Sequence, residues 1–144
     1  MPPVPLNYLA IVVAAAASTI IGMIWYGPLF GKQWKALMGF TDESVKTMTM
    51  TPTKAIIGGC IASLVMAYVL AHSLGFVVLA AEYLGLSDVS SGLQAGFWNW
   101  LGFVAPITLG AVLWERRPWR IWFLNASYWL VTLIAMSITL ALFA

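Results

Sequence analysis

The residues of this chain best suited to chemistry inside an apolar setting are its only histidine, His72, and Asn99. Each stands in a long run without a charged side chain. Counting about 1.5 Å per helical residue from the outer end of its span puts His72 roughly 12 Å inside, with Asn99 at similar depth. Ionisable groups at such depth are expensive and often functional. A neutral imidazole facing a carboxamide can hold a polar solute or relay a proton. The plainer alternative is a hydrogen bond from His72 to a neighbouring helix, with Tyr68 one turn away. The nearest acid in sequence, Glu82, is expected at the outer surface, and no carboxylate lies within any span to complete a proton path. Ala95, Asn99, Gly102, Pro106 and Gly110 fall within roughly an 80° arc at 100° per residue, flanked by Trp98, Trp100 and Phe103. Pro106 has no amide proton and crowds the carbonyl of Gly102, which predicts a bend. His72, Asn99, Gly102 and Pro106 are therefore the candidate solute-facing residues. The bend also has a purely structural reading, because proline and glycine are common in membrane helices.

Other chemistries find little support. One cysteine, Cys60, and one histidine are too few for an internal disulfide or an ordinary zinc site, so no metal and no cofactor is expected. There are no paired carboxylates within the spans and no serine with a nearby basic partner in a recognisable motif, so no enzyme is expected. The seven basic residues do not interleave with aromatics along one stripe, which argues against nucleic acid as a partner.

The elements that must carry these residues follow from composition. Of 144 residues, 62% are apolar and 8% charged, against roughly 25% charged in an average soluble domain. With a mean hydropathy of +0.91 and eight Trp, the outer surface is expected to face lipid. Four uncharged stretches, Met1–Gly31, Ala55–Ala81, Val89–Trp114 and Ile121–Ala144, are each long enough to cross a bilayer. The fold class is all-α: a polytopic four-transmembrane-helix bundle forming one domain over 1–144, with spans at about 6–26, 52–80, 91–114 and 120–143. Pro2, Pro3 and Pro5 resist helix before the first span, and Gly27-Pro28 is expected to break it afterwards. Thr51 can cap the second span, with Pro52 at the first helical position. The residues Met1–Pro5 lack the basic segment of a secretory signal, so the first span is expected to stay as an anchor.

Charge sets orientation. Lys32, Lys35, Lys46 and Lys54 lie between spans one and two, and Arg116, Arg117 and Arg120 between three and four, whereas the middle loop holds Glu82 and Asp88 with no Lys or Arg. The basic loops are expected in the cytoplasm and both termini outside. In the first loop, Trp34, Leu37 and Met38 share a helical face, which predicts a short interfacial helix; a second turn is expected from Thr41, with Asp42 and Glu43 near its start. Arg116, Arg117 and Arg120 are candidates for contact with anionic membrane lipid, and Asn125 and Tyr128 are placed to meet Tyr26 and Trp114.

Small residues recur at every fourth position on two helices: Ala10, Ala14, Ser18 and Gly22 on the first, and Ala55, Gly59, Ser63, Ala67, Ala71 and Gly75 on the second. In lipid, close backbone approach contributes much of the helix association energy, so these are read as packing seams. They serve either the bundle itself or an interface in a homo-oligomer.

The segment Asn7-Tyr8-Leu9-Ala10 and the run Trp25-Tyr26-Gly27-Pro28-Leu29-Phe30-Gly31-Lys32 with Trp34 resemble the domain-of-unknown-function 1761 family of small bacterial membrane proteins. Gly96-Phe97-Trp98, Leu101-Gly102-Phe103 and Asn125 through Tyr128 are similar too, so the resemblance covers nearly the whole chain. It implies a bacterial inner-membrane protein and brings no assigned activity or functional residues. The expected function is a non-enzymatic, homo-oligomeric bundle that binds or passes a small solute or lipid. The alternative is an accessory or structural subunit packed against a partner protein.

Overall fold

The computed structural model describes residues 6–84, 87–113 and 115–143, with side chains described for these outside 76–84. The expectations on Pro2, Pro3 and Pro5, on the Glu82 side chain and on Trp114 lie outside the described residues. All regular structure among the described residues is helical: α1 (Tyr8–Ile24), α2 (Gly31–Met38), α3 (Asp42–Lys46), α4 (Pro52–Leu84), α5 (Asp88–Asn99), α6 (Ala105–Leu113) and α7 (Trp119–Leu142). Two π turns, Trp25–Leu29 and Trp100–Val104, extend α1 and join α5 to α6. Four helices are long and apolar enough to cross a membrane: Tyr8–Leu29, Pro52–Gly75, Asp88–Leu113 and Trp119–Leu142.

The helix starts follow their capping residues. The Asn7 side chain accepts from the Ala10 amide at 3.1 Å, and Thr51 from Lys54 at 3.4 Å just ahead of Pro52. Thr41 and Ser44 form a reciprocal capping box that starts α3 where the second turn was expected. The first span is interrupted at Gly27-Pro28, as expected. Gly27 leaves helical geometry, with φ −103° and ψ −107°, and the helix kinks there; the chain rewinds at once through a widened turn in which the Phe30 amide donates to the Trp25 carbonyl five residues back at 2.9 Å. The chain then enters α2 directly. Gly31 is required there, because a Cβ would stand 2.5 Å from the Tyr26 carbonyl oxygen.

The second π turn explains a departure from expectation. Pro106 cannot donate, and the Ala105 amide donates to the Trp100 carbonyl five residues back. The extra residue in this turn rotates everything downstream by about 100° relative to a regular helix. Ser91, Gly92, Ala95 and Gly96 before the turn and Ala105 after it are therefore buried, whereas Gly102 and Pro106, expected on the same arc as Ala95, are exposed.

α7 is the hub, packing on α1, α4, α5 and α6. Its most extensive contact is with α5, where a Cβ on Gly92 would lie 2.6 Å from the Ile138 Cα and one on Gly96 would lie 2.7 Å from the Ile134 Cα. Backbone meets backbone there, as small-xxx-small pairs permit. Two indoles grip the other end of α7. Trp25 Nε1 donates to the Leu124 carbonyl (3.3 Å) and Trp100 Nε1 to the Ala126 carbonyl (2.8 Å). Two residues apart is about 200° around a helix, so one π turn holds each side. Trp122 Nε1 returns a bond to the Ala105 carbonyl at 3.2 Å.

The core is made of Ala10, Ile11, Ala14 and Ala15 of α1, Ala67, Leu70 and Leu74 of α4, Ala95 of α5, and Leu133, Met136, Leu140 and Ala141 of α7. It occupies the half of the bundle nearer the start of α1 and the end of α7. Those two ends are tied together by Asn7 Nδ2, which donates to the Phe143 carbonyl at 2.7 Å.

Candidate ligand cavity between α1, α4 and α7

The small-residue seams meet in their middle and not along their whole length. Ala10, Ala14 and Ser18 of α1 are buried, as are Ser63 and Ala67 of α4, and Ser18 Oγ and Ser63 Oγ share a buried 3.2 Å hydrogen bond. Toward the lysine-bearing loop the two helices stand apart. Gly59 is exposed with no atom within 4 Å of where its Cβ would be, and Ala55 is exposed as well. Gly22 meets α7 instead of α4, a Cβ there lying 3.0 Å from the Tyr128 hydroxyl oxygen. Small faces on opposite helices permit close approach but equally leave room when the helices splay.

The space between them is a cavity of about 710 Å³. Ser18, Thr19, Gly22, Met23, Tyr26 and Gly27 line it from α1 and its π turn, and Tyr128 and Trp129 from α7. Ala55, Ile56, Gly59, Cys60, Ala62, Ser63 and Met66 close it from α4. That volume lies within the range of roughly 300–1,000 Å³ typical of small-molecule sites. The walls are mostly apolar, and most polar groups in them are already engaged. The Thr19 hydroxyl donates to the Ala15 carbonyl at 3.0 Å and sits 3.9 Å from Cys60 Sγ; Tyr26 OH donates to Asn125 Oδ1 at 2.8 Å.

Tyr128 is not among those engaged. It is only 9% exposed, its ring lies 4.9 Å from that of Tyr26 and 6.2 Å from that of Trp25, and its hydroxyl has no hydrogen-bond partner among the described residues. A nearly buried phenol with a free donor in an apolar wall is the type of polar group that orients a ligand. Asn125 and Tyr128 thus do meet Tyr26.

The residues first singled out for solute contact lie elsewhere. His72 Nδ1 donates to the Tyr68 carbonyl of its own helix at 2.9 Å, its ring edge-on to Tyr68 at 4.5 Å. Asn99 Nδ2 donates to the Ala95 carbonyl, again one turn back, at 2.8 Å. Neither is bonded to the other, and the cavity is lined by neither, nor by Gly102 or Pro106. Among the described residues no cluster of three or more His, Cys, Asp or Glu side chains is placed to hold a metal. Arg116 and Arg120 are exposed and Arg117 half-buried where the chain turns from α6 into α7. That turn closes with the Arg117 amide on the Ala111 carbonyl at 3.1 Å and puts Arg116 at φ 56°.

A second recess lies one residue further along the chain. Gly27, in the cavity wall, is bonded to Pro28, which with Leu29, Lys32, Gln33 and Ala36 lines a space of about 470 Å³ beside α2. Lys35, on the same helix, is engaged with Asp42 at 3.2 Å. Lys32 makes no ion pair among the described residues.

Reading the sequence for deep ionisable groups passed over Thr19, Met23, Met66 and Trp129, since none stands out by type. The usable signal was the pairing of Gly22 with Ala55 and Gly59 at one level, next to three aromatics, Trp25, Tyr26 and Tyr128. No curated protein and no solved structure matches the chain. The model of one family, described as a protein of unknown function (DUF1761), matches residues 9–141, and the chain belongs to that family.

Proposed function

We propose that this chain is a non-catalytic integral membrane protein that holds a lipid-like ligand between α1, α4 and α7. In this reading it sits in the cytoplasmic membrane with both basic loops inside and both termini outside, and α2 lies in the interface on its Trp34, Leu37 and Met38 side. The single observation that carries the reading is the cavity: about 710 Å³, mostly apolar, reaching from the loop end to the Ser18–Ser63 pair in mid-bundle. An apolar tail suits such walls, and the Tyr128 hydroxyl supplies one point of orientation.

The test uses the purified full chain in mild detergent and a lysophosphatidylcholine with a lauroyl chain, its binding followed by native mass spectrometry. Gly59→Trp puts a large side chain into the cavity at a position with no neighbour to displace, and is expected to weaken binding by more than about tenfold, ~1.4 kcal/mol. His72→Leu combined with Asn99→Leu is expected to leave it unchanged. Equal binding by wild type and Gly59→Trp would overturn the reading, and loss only in the His72/Asn99 variant would return the site to those two residues of the second and third spans.

A homo-oligomer is a second reading, favoured by the exposed start of α4, where Gly58 and Gly59 both look onto open space. Cysteines at Gly58 in a Cys60→Ala background would crosslink between chains in that arrangement. A monomer recovered with another protein would instead favour the accessory-subunit role.

A further inference from the structure

We propose that the ligand is an anionic amphiphile, its tail in the α1–α4–α7 cavity and its head in the recess beside α2, held by Lys32 and Gln33. This rests on the cavity being a lipid-like site and adds the chemical class of what fills it.

Three observations meet here. The first is proximity: Gly27 lines the apolar cavity and the next residue, Pro28, lines the recess, so the two spaces lie one residue apart along the chain and within reach of one amphiphile. The second is charge. Lys32 lines the recess and Gln33 adds amide donors, while the neighbouring Lys35 is engaged with Asp42 and Lys46 lies on α3, outside the recess lining. A lysine ammonium binds an anionic oxygen as a compact point charge with three donors. The third is length. From Ser18 at the inner end to Gly27 at the outer end is nine residues, or about 14 Å of helix. An extended chain advances about 1.2 Å per bond, so this depth takes a tail of about a dozen carbons. The Tyr128 hydroxyl, facing α1 at Gly22, lies between the two ends and can donate to an acceptor oxygen partway along the ligand.

The π turn Trp25–Leu29 makes the junction. Had Gly27-Pro28 ended the helix in an open loop, α2 would not follow within two residues. The recess exists because Pro28 and Leu29 stay wound against the first turn of α2.

The experiment compares lauroyl lysophosphatidylglycerol with lauroyl lysophosphatidylcholine on the full chain, by native mass spectrometry and by titration of tryptophan fluorescence. The anionic lipid is expected to bind about fivefold more tightly or better, and Lys32→Gln to abolish that preference while leaving the zwitterionic lipid unaffected. Lys46→Gln removes the same charge from the same loop outside the recess and is expected to keep the preference. Equal affinity for the two lipids in the wild type overturns the anionic assignment and leaves the cavity reading standing. A preference lost equally in Lys46→Gln overturns the assignment to the recess, since diffuse loop charge then accounts for it. Binding of neither lipid removes the cavity reading itself. Circular dichroism on each variant verifies the helical fold, and Lys32→Arg, which keeps the charge, is expected to retain the preference.

Discussion

The two ends of the bundle are held by different means. At the end where α1 begins and α7 finishes, helices touch through alanine and glycine, and Gly92 and Gly96 bring α5 onto the backbone of α7. At the other end α1 and α4 part, and the contacts are long-range polar and aromatic ones: Tyr26 to Asn125, Trp25 to the Leu124 carbonyl, and the rings of Tyr26 and Tyr128. Close packing, with the Asn7 to Phe143 bond across it, fixes one end, and directional bonds and ring contacts fix the other. A tightly interlocked region has no room for a ligand, whereas one held by a few directional bonds can keep a cavity without coming apart.

The sharpest way to break this comparison is to add the same bulk at both ends. Gly96→Leu forces a side chain into the Ile134 backbone and is expected to cost about 3 kcal/mol or more, read as unfolding free energy in mixed micelles. Gly58→Leu, in open space, is expected to change stability by less than about 0.5 kcal/mol. Equal losses would show that the two ends pack alike. Next in size is a gain. Thr132 is fully buried and its Oγ1 has no partner among the described residues, so Thr132→Val, of nearly equal shape, is expected to stabilise the bundle by about 1 kcal/mol. A loss on that substitution would mean the hydroxyl is engaged. Tyr26→Phe removes the bond to Asn125 at the open end and is expected to cost about 0.6 kcal/mol, the average of interhelical hydrogen bonds in membranes. Smallest is Arg116→Gly. It relieves a left-handed backbone position, for an expected gain of about 0.5 kcal/mol by the same unfolding measurement.

Helix number and approximate ends were legible because long uncharged runs and Thr/Pro punctuation act locally. The faces of the third span were not. A single π turn ahead of Pro106 shifts the register by about a residue, so an arc drawn at a constant 100° groups Gly102 and Pro106 with Ala95, which is buried, when they are exposed. The Gly92-xxx-Gly96 pair was present in plain sight as a packing motif and was passed over in favour of longer ladders. For those ladders, residue size alone could not say where α1 and α4 would touch and where they would separate, since that is decided by what α7 places between them. His72 and Asn99 drew notice by their type, yet each can satisfy a polar atom on its own helix one turn back, an option that sequence spacing always leaves open to a side chain of that reach.

The central place of α7 bears on how the protein is made. α1, α4 and α5 precede it in the chain; α1 and α5 share their largest surfaces with it, whereas that of α4 is with α1. During synthesis α1 and α4 can therefore pair early, while α5 lacks its main partner until α7 enters and the Asn7 to Phe143 bond can join the two ends. A nascent chain halted within the arginine-bearing turn would leave three apolar helices without the one that organises them, a natural target for membrane quality-control proteases.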